Sequence, residues 1–263
     1  DNFGQLELSQ GLTTVINGNC GMSAAPVDKG NKGLLNYLRP VIGDILPYVS
    51  TDTMAGYFRS LGSIALPLNC GMLLGCGVVW SSVLGGEHPT EAETKKFRKI
   101  LERELASGAM GVSLGLGYAP ECFLTTDELI SGLEPLRNTD IPITFHMRQE
   151  GDGVCDAIRE VIKIGETLHA HVHISHLKAM GRDNWNRKIP QVLALLDRAR
   201  QEGLDLSCDV YPYTAGSTQL LHILPPEFLE GGMDAVVARL ADPRQREILA
   251  RRIEDGSGFD NIA

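Results

Sequence analysis

The sequence predicts an α/β protein built as a (β/α)8 barrel, and three observations point there. Two short apolar, β-prone runs, residues 141–145 and 170–174, are each followed by a histidine, His146 directly and His176 after Ser175. A helix-like segment, residues 154–168, lies between them, which makes a βαβ unit. Its right-handed crossover brings both strand C-termini to one edge of a parallel sheet, the edge where barrels carry their active sites. Strand-like and helix-like segments also alternate along most of the 263 residues, a length close to that of one barrel.

In chain order, residues 12–17 are β-branched and bounded by glycines, and read as a buried strand running into the tight turn Gly18-Asn19-Cys20-Gly21. A helix is predicted over 52–61. Residues 63–68 read as the second strand, although Pro67 cannot donate to a ladder. Thr90 and Glu93 have capping-box spacing and open a charged amphipathic helix to about residue 107. The third strand is 111–116, followed by a helix from Thr125 to about residue 136. The two histidine strands come next, then a helix over 190–201 and a sixth strand over 204–211. Residues 225–255 read as polar helices punctuated at Asp242-Pro243. Six strands are two short of a closed barrel. No internal repeat or low-complexity linker divides the chain, so residues 1–263 are expected to form one unit.

Composition narrows the partners. A formal charge of −9 and a pI near 5.3 argue against nucleic acid or an anionic membrane surface. No run of eighteen apolar residues suits a membrane span. No basic n-region with an apolar core marks a signal peptide, and six scattered cysteines do not resemble a disulfide framework. The cytoplasm and a small-molecule partner are the expectation. The glycine-rich stretch 71–86 has no GxGxxG opening a helix, so dinucleotide binding is not supported.

His146 and His176, at equivalent ends of successive strands, suggest a bound metal, since neutral imidazole is the commonest metal ligand. Satisfied core histidines are the competing reading. His169, His171, His173 and His176 form a His-rich tract. Side chains alternate along a strand, so the apolar face of Val172 and Ile174 is expected to carry His176 into the barrel and to turn the odd-numbered histidines outward. That disfavours His171 and His173 as a metal pair. Cys20 is a third candidate, exposed by its turn at a strand end. A thiolate suits zinc at about 2.3 Å, and catalytic zinc takes about three protein ligands with one position left open. A buried inert thiol is the alternative.

Five blocks resemble, in order, those of the N-acyl-D-amino-acid deacylases (D-aminoacylases) of the amidohydrolase superfamily. Residues 11–26 are similar to their GVTTVVVGNCGFSxAP block and 108–120 to their GAxGxSxGLxYxP block. Residues 146–150, 174–181 and 209–218 match three more. The resemblance implies an amidohydrolase-type barrel that hydrolyses the amide of an N-acyl-D-amino acid to a carboxylate and a free D-amino acid. It implies Zn2+ as cofactor, held by Cys20, His146 and His176, with Tyr118, Lys178, Tyr211 and Ser217 contacting the substrate. Zinc would polarise the carbonyl and activate water near neutral pH. Lys178 would meet the substrate α-carboxylate, and the tyrosines would donate hydrogen bonds. Arg148 and Glu150 read as a supporting pair.

Departures from the family pattern shape the remaining expectations. The family's first-strand His-x-His pair is expected before this chain begins. Its general-base Asp is expected beyond Ala263, because Asp209 precedes the Tyr-Pro-Tyr block and Asp260 lies in a tail. Residues 68–71 stand where many relatives have Gly-His-Gly. The barrel is therefore expected to be incomplete, lacking first and last strands and the flanking small β-domain, and the fragment alone to be inactive. A cyclic-amide hydrolase uses the same barrel but bridges two metals with a carboxylated lysine, where Cys20 stands here. A non-catalytic zinc-binding scaffold is the rival from another class.

Overall fold

The computed structural model describes residues 4–44 and 47–256. After a one-turn helix α1 (Gln5–Ser9), the first strand β1 (Thr14–Asn17) precedes α2 (Lys32–Ile42) and α3 (Met54–Gly62). The chain then forms β2 (Asn69–Met72), β3 (Leu74–Gly75) and the buried helix α4 (Cys76–Val83). Four helix–strand alternations follow: α5 (Glu91–Ala106), β4 (Val112–Gly115), α6 (Thr126–Gly132), β5 (Ile143–His146), α7 (Val154–Leu168), β6 (Val172–Ile174), α8 (Lys188–Gln201) and β7 (Leu206–Cys208). Helices α9 (Pro226–Leu229), α10 (Gly232–Ala241) and α11 (Pro243–Gly256) complete the described chain.

Every strand pair is parallel. β1 pairs with β2, and β3 to β7 form a five-stranded sheet in sequence order. The two sheets are one wall with a jog at Leu73: its N–H donates to Asn17 O (2.8 Å), while Leu74 N–H donates to Gly111 O (2.9 Å). The strand predicted at 63–68 is therefore displaced to 69–75. Pro67 has no N–H, and the residues around it form a bend that leads into β2. The other helix predictions hold in outline. The capping box predicted at Thr90 and Glu93 forms, and a second forms where Thr125 meets Glu128. α6 is shorter than expected, giving way to a 3-10 turn at Glu134–Leu136, where Pro135 sits at the start. No described helix is long and apolar enough to cross a membrane.

Facing is the opposite of the alternation reading. A Cβ on Gly165 of α7 would lie 3.0 Å from Val172, so Val172 points at the outer helix, and Ile174 shares its side of β6. The apolar face thus packs outward, with Ile158, Val161, Ile164 and Leu168 of α7 in the main core. The inner face is polar: Ser113, Thr144, His173 and Ser207 stand in register across β4 to β7. His171 and His173 lie on that inner side, both bonded to Ser207 Oγ (3.0 and 2.8 Å). They are not members of a metal-ligand cluster among the described residues, although for a different reason than expected.

Candidate metal centre

Three side chains from three turns at the strand C-termini converge. Cys20 Sγ lies 3.4 Å from His176 Nε2, and His146 Nδ1 lies 3.0 Å from the same nitrogen. Each reaches this place through a distinct local device.

The Cys20 turn follows β1 through three left-handed residues, Gly18 (φ 86°), Cys20 (φ 58°) and Gly21 (φ 72°). Glycine is required at Gly18, where a Cβ would meet Leu73 O at 2.3 Å, and at Gly21, where it would meet Glu121 Oε2 at 2.3 Å. Ser113 Oγ clamps both flanks of the turn, accepting from Gly21 N–H (3.1 Å) and donating to Gly18 O. Val78 N–H at 3.1 Å secures Gly21 O, and Thr144 Oγ1 bonds Asn19 Oδ1 at 3.2 Å. Glu121 sits beneath, 1% exposed, its Oε2 accepting from Gly115 N–H at 2.8 Å.

His146 ends β5 on the inner face and is 4% exposed. Burial drags its pKa down to about 3, so the ring is neutral with a lone pair to offer. Its Nε2 is buried without a hydrogen-bond partner among the described residues. Gly117 makes room for this ring: a Cβ there would lie 3.0 Å from His146 Nε2 and 2.7 Å from His222.

His176 lies two residues past β6 with φ 43°, again left-handed. Its Nδ1 is 2.9 Å from Glu150 Oε1, with Lys178 Nζ 2.5 Å from the same oxygen. Burial alone would lower the His176 pKa, but the bonds with Cys20 and Glu150 outweigh it and lift the group to about 9. Burial alone would raise Glu150, yet the bond with His176 and the charges around it hold that carboxyl down at about 2. A carboxylate on Nδ1 leaves Nε2 to face the sulfur and the second imidazole, the usual orientation of a metal-ligating histidine by an outer acceptor. Two imidazole nitrogens and one sulfur meeting at one point is a donor set suited to zinc, and the residues present fit such an ion.

A second group, His146, Glu150 and His222, also has ligand atoms within 4.8 Å of one another. Its carboxylate is already committed to Lys178 and His176, so it is the weaker cation site. His222 escaped the sequence reading because nothing local marks it. It comes from a 3-10 turn, Leu220–Ile223, and reaches the site only through the fold, 5.2 Å from the His146 ring and 4.8 Å from Tyr118.

The expected substrate contacts are distributed around this centre. The Tyr118 ring lies 4.6 Å from His146, and its hydroxyl bonds Thr218 Oγ1 at 2.9 Å. Burial pushes that phenol up to about 12, so it is a hydrogen-bond donor at neutral pH. Lys178 Nζ stands 5.5 Å over the Tyr211 ring while paired with Glu150. Ser217 is exposed in the loop that carries Thr218, and it is Thr218 that meets Tyr118. Arg148 is not the partner of Glu150. It bonds Glu160 (2.9 Å) and the carbonyls of Cys122 and Leu124, tying β5 to α7 and to the turn before α6. Asp209 bonds the backbone of His176 and is not aimed at the centre; Asp260 lies outside the described residues.

No protein-family model matches the chain. The D-aminoacylase of Alcaligenes xylosoxydans xylosoxydans is 34% identical over 219 residues, which is 81% of this chain and 43% of that protein. The N-acyl-D-glutamate deacylase of the same organism is 33% identical over 216 residues, again 81% and 43%. Among solved structures, an N-acyl-D-glutamate deacylase from Bordetella bronchiseptica, complexed with zinc and a phosphonate mimic of the tetrahedral intermediate, superposes with a TM-score of 0.69 at 31% identity. It covers 80% of this chain and 43% of that one. A D-aminoacylase described as defining a novel subset of amidohydrolases gives 0.71 at 29% identity, covering 93% and 53%. The chain spans about half or less of the length of these relatives.

Proposed function

Because the chain belongs to the N-acyl-D-amino-acid deacylase family of amidohydrolases over the segment it shares with them, we propose that it forms the metal-bearing part of an enzyme that hydrolyses N-acyl-D-amino acids to a carboxylate and a free D-amino acid. The observation that carries this reading is the convergence of Cys20 Sγ, His146 Nδ1 and His176 Nε2. These three residues would hold Zn2+, which when bound supplies Lewis-acid polarisation of the scissile carbonyl and lowers the pKa of water.

The chain's own residues complete the site. Burial keeps His146 neutral, and Glu150 orients the His176 ring. Tyr118, un-ionised and beside His146, is placed to donate a hydrogen bond to the substrate. Lys178 and Tyr211, with Ser217 on the same loop as Tyr211, form the polar side of the mouth, suited to the α-carboxylate. Residues 1–263 act as one unit in this reading. The acidic composition suits a small-molecule partner rather than nucleic acid or membrane, and six free thiols suit the cytoplasm.

Elemental analysis of the purified protein tests the centre. About one tightly held zinc per chain is expected, lost in both Cys20→Ala and His176→Ala. Unchanged metal in either variant would remove the site assignment. Release of D-amino acid from N-acyl-D-amino acids by the full-length gene product, and not from the L-isomers, tests the activity.

A further inference from the structure

The inner-face histidines His171 and His173 lie outside the candidate metal cluster among the described residues. His176 has the same strand parity as Ile174, whose side chain packs outward in the core, so a regular continuation of β6 would send the His176 ring away from Cys20. Only the left-handed backbone at His176, φ 43°, returns the ring to the inner face.

Asp209, the residue after β7, grips this turn at three points. Its Oδ1 accepts from His176 N–H at 2.5 Å. Its main-chain oxygen accepts from Leu177 N–H at 2.9 Å, and its own N–H donates to Ile174 O at 3.1 Å. The other carboxylate oxygen, Oδ2, takes His173 Nε2 at 2.8 Å. A carboxylate only accepts, so Nε2 carries the proton and Nδ1 of a neutral His173 is an acceptor. It receives the Ser207 hydroxyl at 2.8 Å, and Ser207 Oγ also lies 3.0 Å from Nε2 of His171, whose Nδ1 is 3.1 Å from Asp205 Oδ2. The result is a directed chain from Ser207 through His173 to the carboxylate that holds the His176 backbone, with His171 packed against its start.

We propose that Asp209 is a positioning residue for His176, and that His173, backed by Ser207 and His171, is the brace that fixes the Asp209 carboxylate. Glu150 sets the rotation of the His176 ring, and Asp209 sets the face of the sheet on which the ring lies. The inference rests on Cys20, His146 and His176 being the ligands.

The test is zinc affinity and the visible spectrum of the Co2+-loaded full-length gene product, for Asp209→Ala, Asp209→Asn, His173→Ala and Cys20→Ala. Asp209→Ala is expected to weaken zinc about 10–100-fold, the usual effect of removing an outer partner of a ligand, and to alter the cobalt spectrum at saturating metal. Asp209→Asn keeps an oxygen acceptor for His176 N–H and should recover most of the affinity. His173→Ala should fall between wild type and Asp209→Ala. Wild-type affinity and spectrum in Asp209→Ala, with metal lost in Cys20→Ala, would overturn the proposal and leave the ligand assignment intact. Retention of zinc by Cys20→Ala would instead remove the ligand assignment. If Asp209→Ala does not fold, the other two variants decide: an Asn variant with severely weakened zinc, or an unaffected His173→Ala, also overturns it.

Discussion

Glu121 shows how much one buried side chain can shape the behaviour of the protein. Its carboxyl is wedged under the Cys20 turn with one oxygen on Gly115 N–H and the other without a partner among the described residues. Burial is the dominant cause of its raised pKa, about 8 against an ordinary 4.5. A group whose folded pKa is raised contributes stability that is fully present below the unfolded value and is lost as pH rises through the folded one. The protein should therefore lose stability between about pH 5 and pH 8, at up to roughly 1.4 kcal/mol per pH unit. Glu121→Gln keeps an acceptor for Gly115 and cannot ionise, so its denaturation midpoint should fall less than that of wild type over that window. Parallel pH profiles for the two proteins would show that Glu121 is not the group responsible. At the same scale, the candidate ligands were legible from residue type and position at strand ends, whereas the true partner of Glu150 and the contacts of Asp209 and His222 were not. Their partners lie 26 to 76 residues away, and nothing local announces those contacts.

At the scale of elements, the site depends on how closely the Cys20 turn approaches β4. Gly115 ends β4, and a Cβ there would sit 2.2 Å from Cys20 O and 2.9 Å from the Tyr118 ring. Backbone cannot yield as a flexible side chain does. Gly115→Ala is thus expected to cost about 1–3 kcal/mol of stability through overpacking and to weaken metal binding by displacing Cys20. A melting temperature and zinc affinity equal to wild type would contradict the close approach. Helix boundaries were read well from pattern and caps: α7 spans the predicted Val154–Leu168 without a side-chain N-cap, and Thr-Glu capping boxes open α5 and α6. The second strand was displaced because proline at position 67 decides where pairing cannot begin, not where it does. The facing of β6 was reversed because alternation gives two faces without saying which one the helices cover.

Across the whole molecule, order is concentrated in the middle of the wall. β4 and β5 are buried at every position, whereas β1 is largely exposed and pairs only with β2 among the described residues. Trp80 and Phe97, stacked at 3.9 Å, join α4 to α5 over the same central strands. Amide hydrogen exchange on the 263-residue chain should therefore be slowest at Val112–Gly115 and Ile143–His146, and faster by orders of magnitude in Thr14–Asn17. Equal protection of β1 and β5 would mean that the wall opens as one cooperative unit. The uneven stability matters for function because Cys20 is carried at the end of β1, while His146 ends the protected strand β5 and His176 follows its neighbour β6. Zinc bound by all three would tie the looser edge to the centre, so protection of β1 should rise when metal is added.

The sequence by itself determined the parallel α/β class, the alternation of elements and the three candidate ligands, because each of these is written in local pattern: apolar runs, caps, and residue type at a strand end. The tertiary structure alone decided which face of the sheet is the inner one and which side chains support the ligands. It also set His171 and His173 apart from the candidate ligand cluster, to which His176 of the same tract belongs. Those outcomes depend on contacts between turns far apart in the chain, and on three non-regular backbone angles, at Gly18, Cys20 and His176, that no periodic pattern encodes.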